Sequence, residues 1–291
     1  MSARPPRTVA VAVALAGALV LAGCAASASD DGEDGRVAVL ASFYPLQFVA
    51  EEVGGEDVSV SSMTPPGGDA HTLELAPAEV RAIGRADLVV YQSGFQPTVD
   101  EAVSVTAPEH VVDLADLATT PGDPHFWLDP TLLGKAAGEV VDALSRVDPD
   151  NAAGYADRAE DLTAALQELD ARYREGLSGC TGATLVTAHQ AFGYLADRYG
   201  LHQVGIAGID PEVEPSPARL RDVGETVTAE GVRTLFFETS TSPKVTQTLA
   251  EDLGVGTAVL DPLEALTDPD ADYLTVMRAN LDALEAGLSC S

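Results

Sequence analysis

The sequence is poor in basic residues. Lys and Arg number 16 against 46 Asp and Glu, so the formal net charge at pH 7 is −30. Such an excess of negative charge makes nucleic acid and anionic lipid surfaces poor partners. The chain also lacks a P-loop for ATP and the HExxH pair of many zinc peptidases. We therefore predict no nucleic-acid binding and no catalytic activity, and we attribute the diffuse charge to solubility.

Cysteine is also scarce, with three residues in the chain. The first, Cys24, follows the basic residues Arg4 and Arg7 and a charge-free apolar run over residues 8–23. The run is too short for a membrane-spanning helix but suits a secretory signal. Because LAGC resembles the lipobox of bacterial lipoproteins, we predict cleavage after residue 23, lipidation of Cys24 and a polar tether over residues 24–36. An ordinary secretory signal with a chance cysteine is the alternative.

Export would leave Cys180 and Cys290 as the remaining thiols. In an oxidising compartment an isolated pair usually forms a disulfide, and this one would close a loop of about a hundred residues. A cysteine metal site is the alternative. We expect the bridge to fix the C-terminus of an anchored, extracytoplasmic protein.

Apolar strand-like runs alternate with helical stretches, which favours an α/β fold with mainly parallel sheets. One long helical stretch interrupts the alternation, with apolar residues at three- and four-residue spacing; they are Leu162, Leu166, Leu169, Tyr173 and Leu177. We predict two pseudo-symmetric lobes, over residues 37–150 and 179–291, joined by a rigid helix over residues 151–178. Three helix starts are predicted where an N-cap residue precedes proline, at Asp129-Pro130, Ser216-Pro217 and Ser242-Pro243.

Three of the five histidines occupy turn or strand-end positions. His71 follows a Pro-Gly turn, His125 lies in DPHFWLDP, and His189 ends the apolar run TLVTAH. Neutral imidazole is a common metal ligand, so this placement predicts one convergent metal site. Asp261 directly follows the apolar run TAVL and is expected at the same sheet edge as His189.

Several segments together resemble a known family, the extracytoplasmic zinc- and manganese-binding receptors of bacterial ABC importers. They are SFYPL at 42–46, GGDAHTLELAPAEV at 67–80, ADLVVYQSG at 86–94, DPHFWLDP at 123–130, TAHQAFGYLADRYGL at 187–201 and ETSTSPK at 238–244. The resemblance implies two lobes bridged by a helix, with a buried metal between them. It also implies the ligands His71, His125, His189 and, as the fourth, Asp261.

Histidine at the third position is typical of the zinc receptors of this family, whereas the manganese receptors commonly have glutamate there. The resemblance therefore implies a monomeric zinc receptor that delivers Zn(II) to the permease and ATPase subunits of an ABC importer. Glu238 is expected behind a ligand as a hydrogen-bond acceptor, or as a replacement ligand if Asp261 only caps a turn.

The sequence departs from many zinc receptors in one region. Residues 113–123 form a short stretch without histidine, where relatives often carry a long histidine-rich loop. Three alternatives remain open: a manganese receptor, a secreted zinc hydrolase, and a surface adhesin with the same fold. We predict no role in the site for His110 and His202, which lie in no recognisable motif.

Overall fold

The structure is a computed structural model, and it describes residues 35–238, 242–288 and 290. The predicted signal peptide, the lipid-attachment residue Cys24 and nearly all of the tether lie outside the described residues. Within those residues, every helix is too short or too polar to span a bilayer.

The first half of the chain forms a parallel four-stranded sheet with the strand order β2-β1-β3-β4. The strands are β1 Val37–Ala41, β2 Val58–Ser62, β3 Leu88–Tyr91 and β4 Val111–Asp113. The helices are α1 Tyr44–Gly54, α2 Pro77–Ile83, α3 Pro97–Thr106 and α4 Pro130–Val147. The central strands β1 and β3 are almost wholly buried, as expected for a parallel sheet covered by helices.

The second half repeats the architecture with the strand order β6-β5-β7-β8, again parallel throughout. Its strands are β5 Thr184–Thr187, β6 His202–Gly205, β7 Thr234–Phe237 and β8 Gly256–Val259. Its helices are α6 Gly193–Tyr199, α7 Pro217–Ala229, α8 Lys244–Leu253 and α9 Tyr273–Gly287. The matching strand orders confirm the predicted pair of pseudo-symmetric α/β lobes.

A 25-residue helix, α5, covers Ala152–Gly176 and joins the two sheets. The four apolar residues of the predicted stripe that lie within it are buried, so the leucine spacing does mark the face that packs on the rest of the protein. At about 1.5 Å per residue the helix is nearly 40 Å long. The Tyr173 hydroxyl donates to the Met277 carbonyl at 2.6 Å and ties α5 to α9.

The two lobes share one continuous hydrophobic core. Phe43 and Trp127 from the first lobe belong to the same buried cluster as Phe192 and Tyr273 from the second. The Tyr273 hydroxyl donates to the Trp127 carbonyl at 2.6 Å, and the Trp127 indole N–H donates to the Pro262 carbonyl at 2.7 Å. Separation of the lobes would expose this apolar surface and break these bonds.

Two of the three predicted helix starts have the expected caps. Asp129 accepts a hydrogen bond from Thr131 N, and Ser216 accepts one from Arg219 N. The third prediction is off by one residue, because α8 begins at Lys244 and Pro243 is its cap residue. Pro243 nevertheless has αR dihedral angles, so the chain is already helical at the proline. The predicted disulfide is present between Cys180 and Cys290, whose Cα atoms are 4.5 Å apart.

Candidate metal centre

His71 lies in the loop between β2 and α2, and buried polar side chains fix that loop. The Gln96 amide donates to Thr64 Oγ1 and to the Ala70 carbonyl, both at 3.1 Å. Asp69 Oδ1 accepts from His71 N at 2.8 Å. The His71 ring also meets Phe95 edge to face, with centroids 4.9 Å apart. These contacts direct the His71 ring towards the second lobe.

His125 directly precedes a short 3-10 helix, Phe126–Leu128, which leads into α4. Asp123 holds it twice, since Asp123 Oδ1 lies 2.9 Å from His125 N and 2.7 Å from His125 Nδ1. The carboxylate keeps a proton on Nδ1, which leaves the Nε2 lone pair free to bind a metal. The His125 side chain is fully buried.

His189 lies just beyond the end of β5 and has an equivalent partner from the neighbouring strand. Glu238 follows β7, and its Oε1 lies 2.6 Å from His189 Nδ1. Strands β5 and β7 pair directly, with Thr187 opposite Phe236, so the sheet register brings these two residues together. His189 Nε2 is buried and forms no well-oriented hydrogen bond within the described residues, although Glu264 Oε1 lies 3.4 Å away. Such an atom is available to a ligand.

Glu264, from the loop between β8 and α9, completes the group. Its Oε1 lies 3.2 Å from His71 Nε2, 3.3 Å from His125 Nε2 and 3.4 Å from His189 Nε2. His71 Nε2 and His125 Nε2 are 3.4 Å apart. A tetrahedron with metal–ligand distances of about 2.0–2.1 Å has edges of about 3.3–3.4 Å. These four distances match the edges of a zinc-sized tetrahedron, and all four donor atoms lie within 4.8 Å of one another.

The fourth member of the group is not the residue that the sequence indicated. Within the described residues, the donor atoms that could share a metal belong to His71, His125, His189 and Glu264. Asp261 is not among them, because its Oδ1 instead accepts a hydrogen bond from Leu263 N at 2.8 Å. Asp261 lies two residues beyond the end of β8, the same offset that His189 has from the end of β5, so the bond to Leu263 and not the distance from the strand distinguishes it.

The site joins buried imidazoles to buried carboxylates, and this shifts their pKa values. Burial alone would lower the pKa of His189, but the hydrogen bond to Glu238, the close approach of Glu264 and the charges of both carboxylates raise it to about 10. Burial would also raise the pKa of Glu264, yet hydrogen bonds from the three histidines hold it well below its usual range. The cluster thus keeps Glu264 ionised and attracts positive charge, either as protons or as a metal cation.

Sequence reasoning missed two residues of the site. Asp123 lies in the same DPHFWLDP motif as His125, two positions before it. The motif therefore contained a signal for a carboxylate that contacts the His125 ring. Glu264 had no comparable signal. It follows Leu263, a non-glycine residue with φ +61°, and that turn is not evident from the residue types. His110 and His202 lie outside the group.

Residues 39–287 match the family described as ZnuA, zinc-uptake complex component A, periplasmic. The chain belongs to the ZnuA family. It is 32% identical over 300 residues to the high-affinity zinc uptake system protein ZnuA of Bacillus subtilis, covering 93% of this chain and 94% of that protein.

Two further similarities extend this result. The zinc-binding lipoprotein AdcA of Streptococcus pneumoniae is 32% identical over 279 residues, which cover 87% of this chain. The chain spans 56% of the length of AdcA. The laminin-binding protein Lmb of Streptococcus agalactiae, described as bifunctional with adhesin and metal-transporting activity, superimposes with a TM-score of 0.80 at 33% identity. That match covers 86% of this chain and 99% of Lmb.

Proposed function

We propose that the protein is a lipid-anchored extracytoplasmic receptor that captures Zn(II) between its lobes and delivers it to an ABC permease. The tetrahedron of His71, His125, His189 and Glu264 carries this proposal, because its spacing suits four-coordinate zinc. The names of the relatives AdcA and ZnuA support the choice of metal. The predicted signal peptide and Cys24 support an anchor on the outer face of the membrane.

The donor set favours zinc over manganese. Three imidazoles and one carboxylate form a borderline-soft set, whereas manganese prefers sites with more oxygen ligands and six-fold coordination. Asp123 and Glu238 fix two of the imidazoles through Nδ1, an arrangement typical of zinc-bound histidines.

A hydrolase is the weaker reading of the same residues. Catalytic zinc keeps an open position for water beside three protein ligands. In the proposed site Glu264 is the fourth ligand, so a bound zinc would already have four protein ligands. Peptidase and phosphatase assays on the zinc-loaded protein test this alternative, and turnover that is lost with a chelator would support it.

Release of zinc is expected through local movement of the loops that carry the ligands. The shared core and the bond from Trp127 to Pro262 oppose wide separation of the lobes. Shifts of a few ångströms in one loop would be enough to break a coordination bond. The ATPase and permease subunits of the importer would supply the energy and the pathway.

The decisive experiment is elemental analysis of the purified mature protein, followed by a competition titration of zinc against manganese. We expect about one zinc per chain and displacement of manganese by zinc. The variant His189→Ala should weaken zinc binding by at least about 100-fold, because it removes a ligand together with its link to Glu238. His202→Ala, which changes an exposed histidine on β6, is the matched control. Preferential retention of manganese would overturn the metal assignment.

Adhesion remains the second candidate because Lmb, with its adhesin activity, has a similar structure. Growth of a deletion strain under zinc limitation separates the two activities. A growth defect that excess zinc repairs would support import. Normal growth together with loss of surface attachment would favour an adhesin.

A further inference from the structure

Asp261 is held in a network that serves a different purpose from metal binding. Its Oδ1 accepts from Leu263 N at 2.8 Å, which closes a turn of the kind that Asp and Asn side chains commonly form. This bond lies one residue before Glu264, the only carboxylate in the four-residue group. The carboxylate of Asp261 therefore shapes the short segment that carries a proposed ligand.

Helix α9 fixes the backbone of the same residue. Asn280 is buried, its Oδ1 accepts from Asp261 N at 2.9 Å, and its Nδ2 donates to the Asp261 carbonyl at 2.7 Å. This pair of bonds satisfies both backbone groups of Asp261 and anchors the start of the turn to the second lobe. The first lobe holds the next residue, because Trp127 Nε1 donates to the Pro262 carbonyl.

Leu263 needs this support, because it adopts φ +61° and is buried with 1% of its surface exposed. A left-handed conformation is unfavourable for a residue with a Cβ, and it persists only where the surroundings enforce it. Its backbone N–H donates to Asp261, so the Asp261 carboxylate stabilises the unfavourable conformation directly. The turn then brings Glu264 Oε1 to within 3.4 Å of all three imidazoles.

We propose that Asp261 is a positioning residue for Glu264: its Oδ1 fixes the left-handed turn at Leu263 that places Glu264 among the three histidines. This inference rests on the proposed zinc-binding function. On this proposal, what matters is that an acceptor atom occupies the position of Asp261 Oδ1. The negative charge of the carboxylate is not required.

The test compares zinc affinity in four variants of the mature protein: Asp261→Ala, Asp261→Asn, Asp261→Glu and Glu264→Gln. We expect Asp261→Ala to weaken zinc binding by about 10–100-fold, the usual effect of removing an outer support of a metal ligand. Asp261→Asn keeps an acceptor at the same position and should remain within about 3-fold of the wild type. Asp261→Glu keeps the charge but displaces the acceptor by one methylene, so it should weaken binding. A ligand role for Asp261 requires the opposite order of these two variants.

A double-mutant cycle shows whether Asp261 acts through Glu264. Once Glu264→Gln has removed the ligand, the additional Asp261→Ala change should leave zinc affinity unchanged, because coupled residues are not additive. The visible absorption spectrum of the Co(II) form reports coordination. Asp261→Ala should shift it towards the spectrum of Glu264→Gln, while Asp261→Asn should retain the wild-type spectrum.

Three results would overturn the inference. The first is an equal loss of affinity from Asp261→Ala in the wild-type and Glu264→Gln backgrounds. The second is a greater loss in Asp261→Asn than in Asp261→Glu, and the third is zinc binding that Asp261→Ala leaves unchanged. If Asp261→Ala does not fold, the pair Asp261→Asn and Asp261→Glu decides the question alone. A wild-type protein that binds no zinc would refute the proposed function itself. Wild-type binding that Asp261→Ala leaves unchanged would refute only the role of Asp261.

Discussion

At the scale of single residues, the site depends on carboxylates that lie behind the imidazoles. Asp123 contacts Nδ1 of His125 at 2.7 Å and Glu238 contacts Nδ1 of His189 at 2.6 Å. Each contact fixes the tautomer and the orientation of a ring, and each negative charge makes the ring a stronger donor to a metal. His71 differs, since its main supports are the loop contacts of Gln96 and Asp69.

We expect Asp123→Asn and Glu238→Gln each to weaken zinc binding by about 10–100-fold. An amide can still hydrogen-bond the ring but removes the negative charge that favours the metal-bound state. Isothermal titration or competition with a chelator measures the effect. Glu168→Gln is the matched control, because that carboxylate lies on the exposed surface of α5, where it pairs with Arg172. An unchanged affinity in both site variants would show that the carboxylates do not tune the site.

Three members of the group could be predicted from the sequence because short motifs in their immediate neighbourhood indicate where their side chains lie. His71, His125 and His189 each lie in a short motif whose turn or strand end places the side chain at the sheet edge. Glu264 depends on a backbone turn at Leu263 that long-range contacts from Asn280 and Trp127 stabilise. Local residue patterns contain no information about such contacts, so they favoured Asp261, the carboxylate closer to the end of β8, which lies outside the group.

At the scale of helices and strands, Asp170 connects α5 to the second lobe. Its Oδ1 accepts from Arg198 Nε at 2.6 Å and from the Tyr199 hydroxyl at 3.1 Å. Its Oδ2 accepts from Arg174 Nε at 2.9 Å. Arg198 Nε also lies 3.2 Å from Asp129 Oδ1 at the start of α4. One arginine of α6 therefore contacts both the connecting helix and the first lobe.

We expect Asp170→Asn to lower the free energy of unfolding by about 1–3 kcal/mol at neutral pH. Burial would raise the pKa of Asp170, but hydrogen bonds from Arg198 and Arg174 outweigh it and lower the pKa. A pKa that is lower in the folded state stabilises the protein above the unfolded-state value of about 3.9, and this contribution is lost as the pH falls through the folded-state value. The difference between variant and wild type should therefore shrink below about pH 4.

Urea unfolding of both proteins across this pH range measures the effect. Glu168→Gln on the same helix is the control, because its exposed pair with Arg172 should contribute less than about 1 kcal/mol. A difference between Asp170→Asn and wild type that stays constant with pH would show that the ionised carboxylate is not the source of the stabilisation.

Element types were more predictable than their ends. The leucine spacing correctly marked the buried face of α5, because a periodic apolar stripe depends only on helix geometry. The start of α8 lies one residue later than the pattern Ser242-Pro243 predicts, although Pro243 itself adopts αR angles. Helix ends depend on the competition between local caps and the path of the preceding chain, which short patterns do not define.

At the scale of the whole molecule, the metal site links the two lobes. His71 and His125 come from the first lobe, and His189 and Glu264 from the second. Since the hydrophobic core is also continuous between the lobes, we expect them to unfold together. A metal that binds at their junction should then stabilise the complete fold and not one half of it.

We expect zinc to raise the midpoint of thermal unfolding while a single transition is retained. A ligand that binds only the folded protein adds about 4 kcal/mol when its free concentration is a thousand times the dissociation constant. For a chain of this size the corresponding shift is on the order of 10 °C. Differential scanning calorimetry with and without zinc measures it, and His189→Ala should show little of the shift. Two transitions, of which only one responds to zinc, would show that the lobes unfold separately and that the shared core does not couple them.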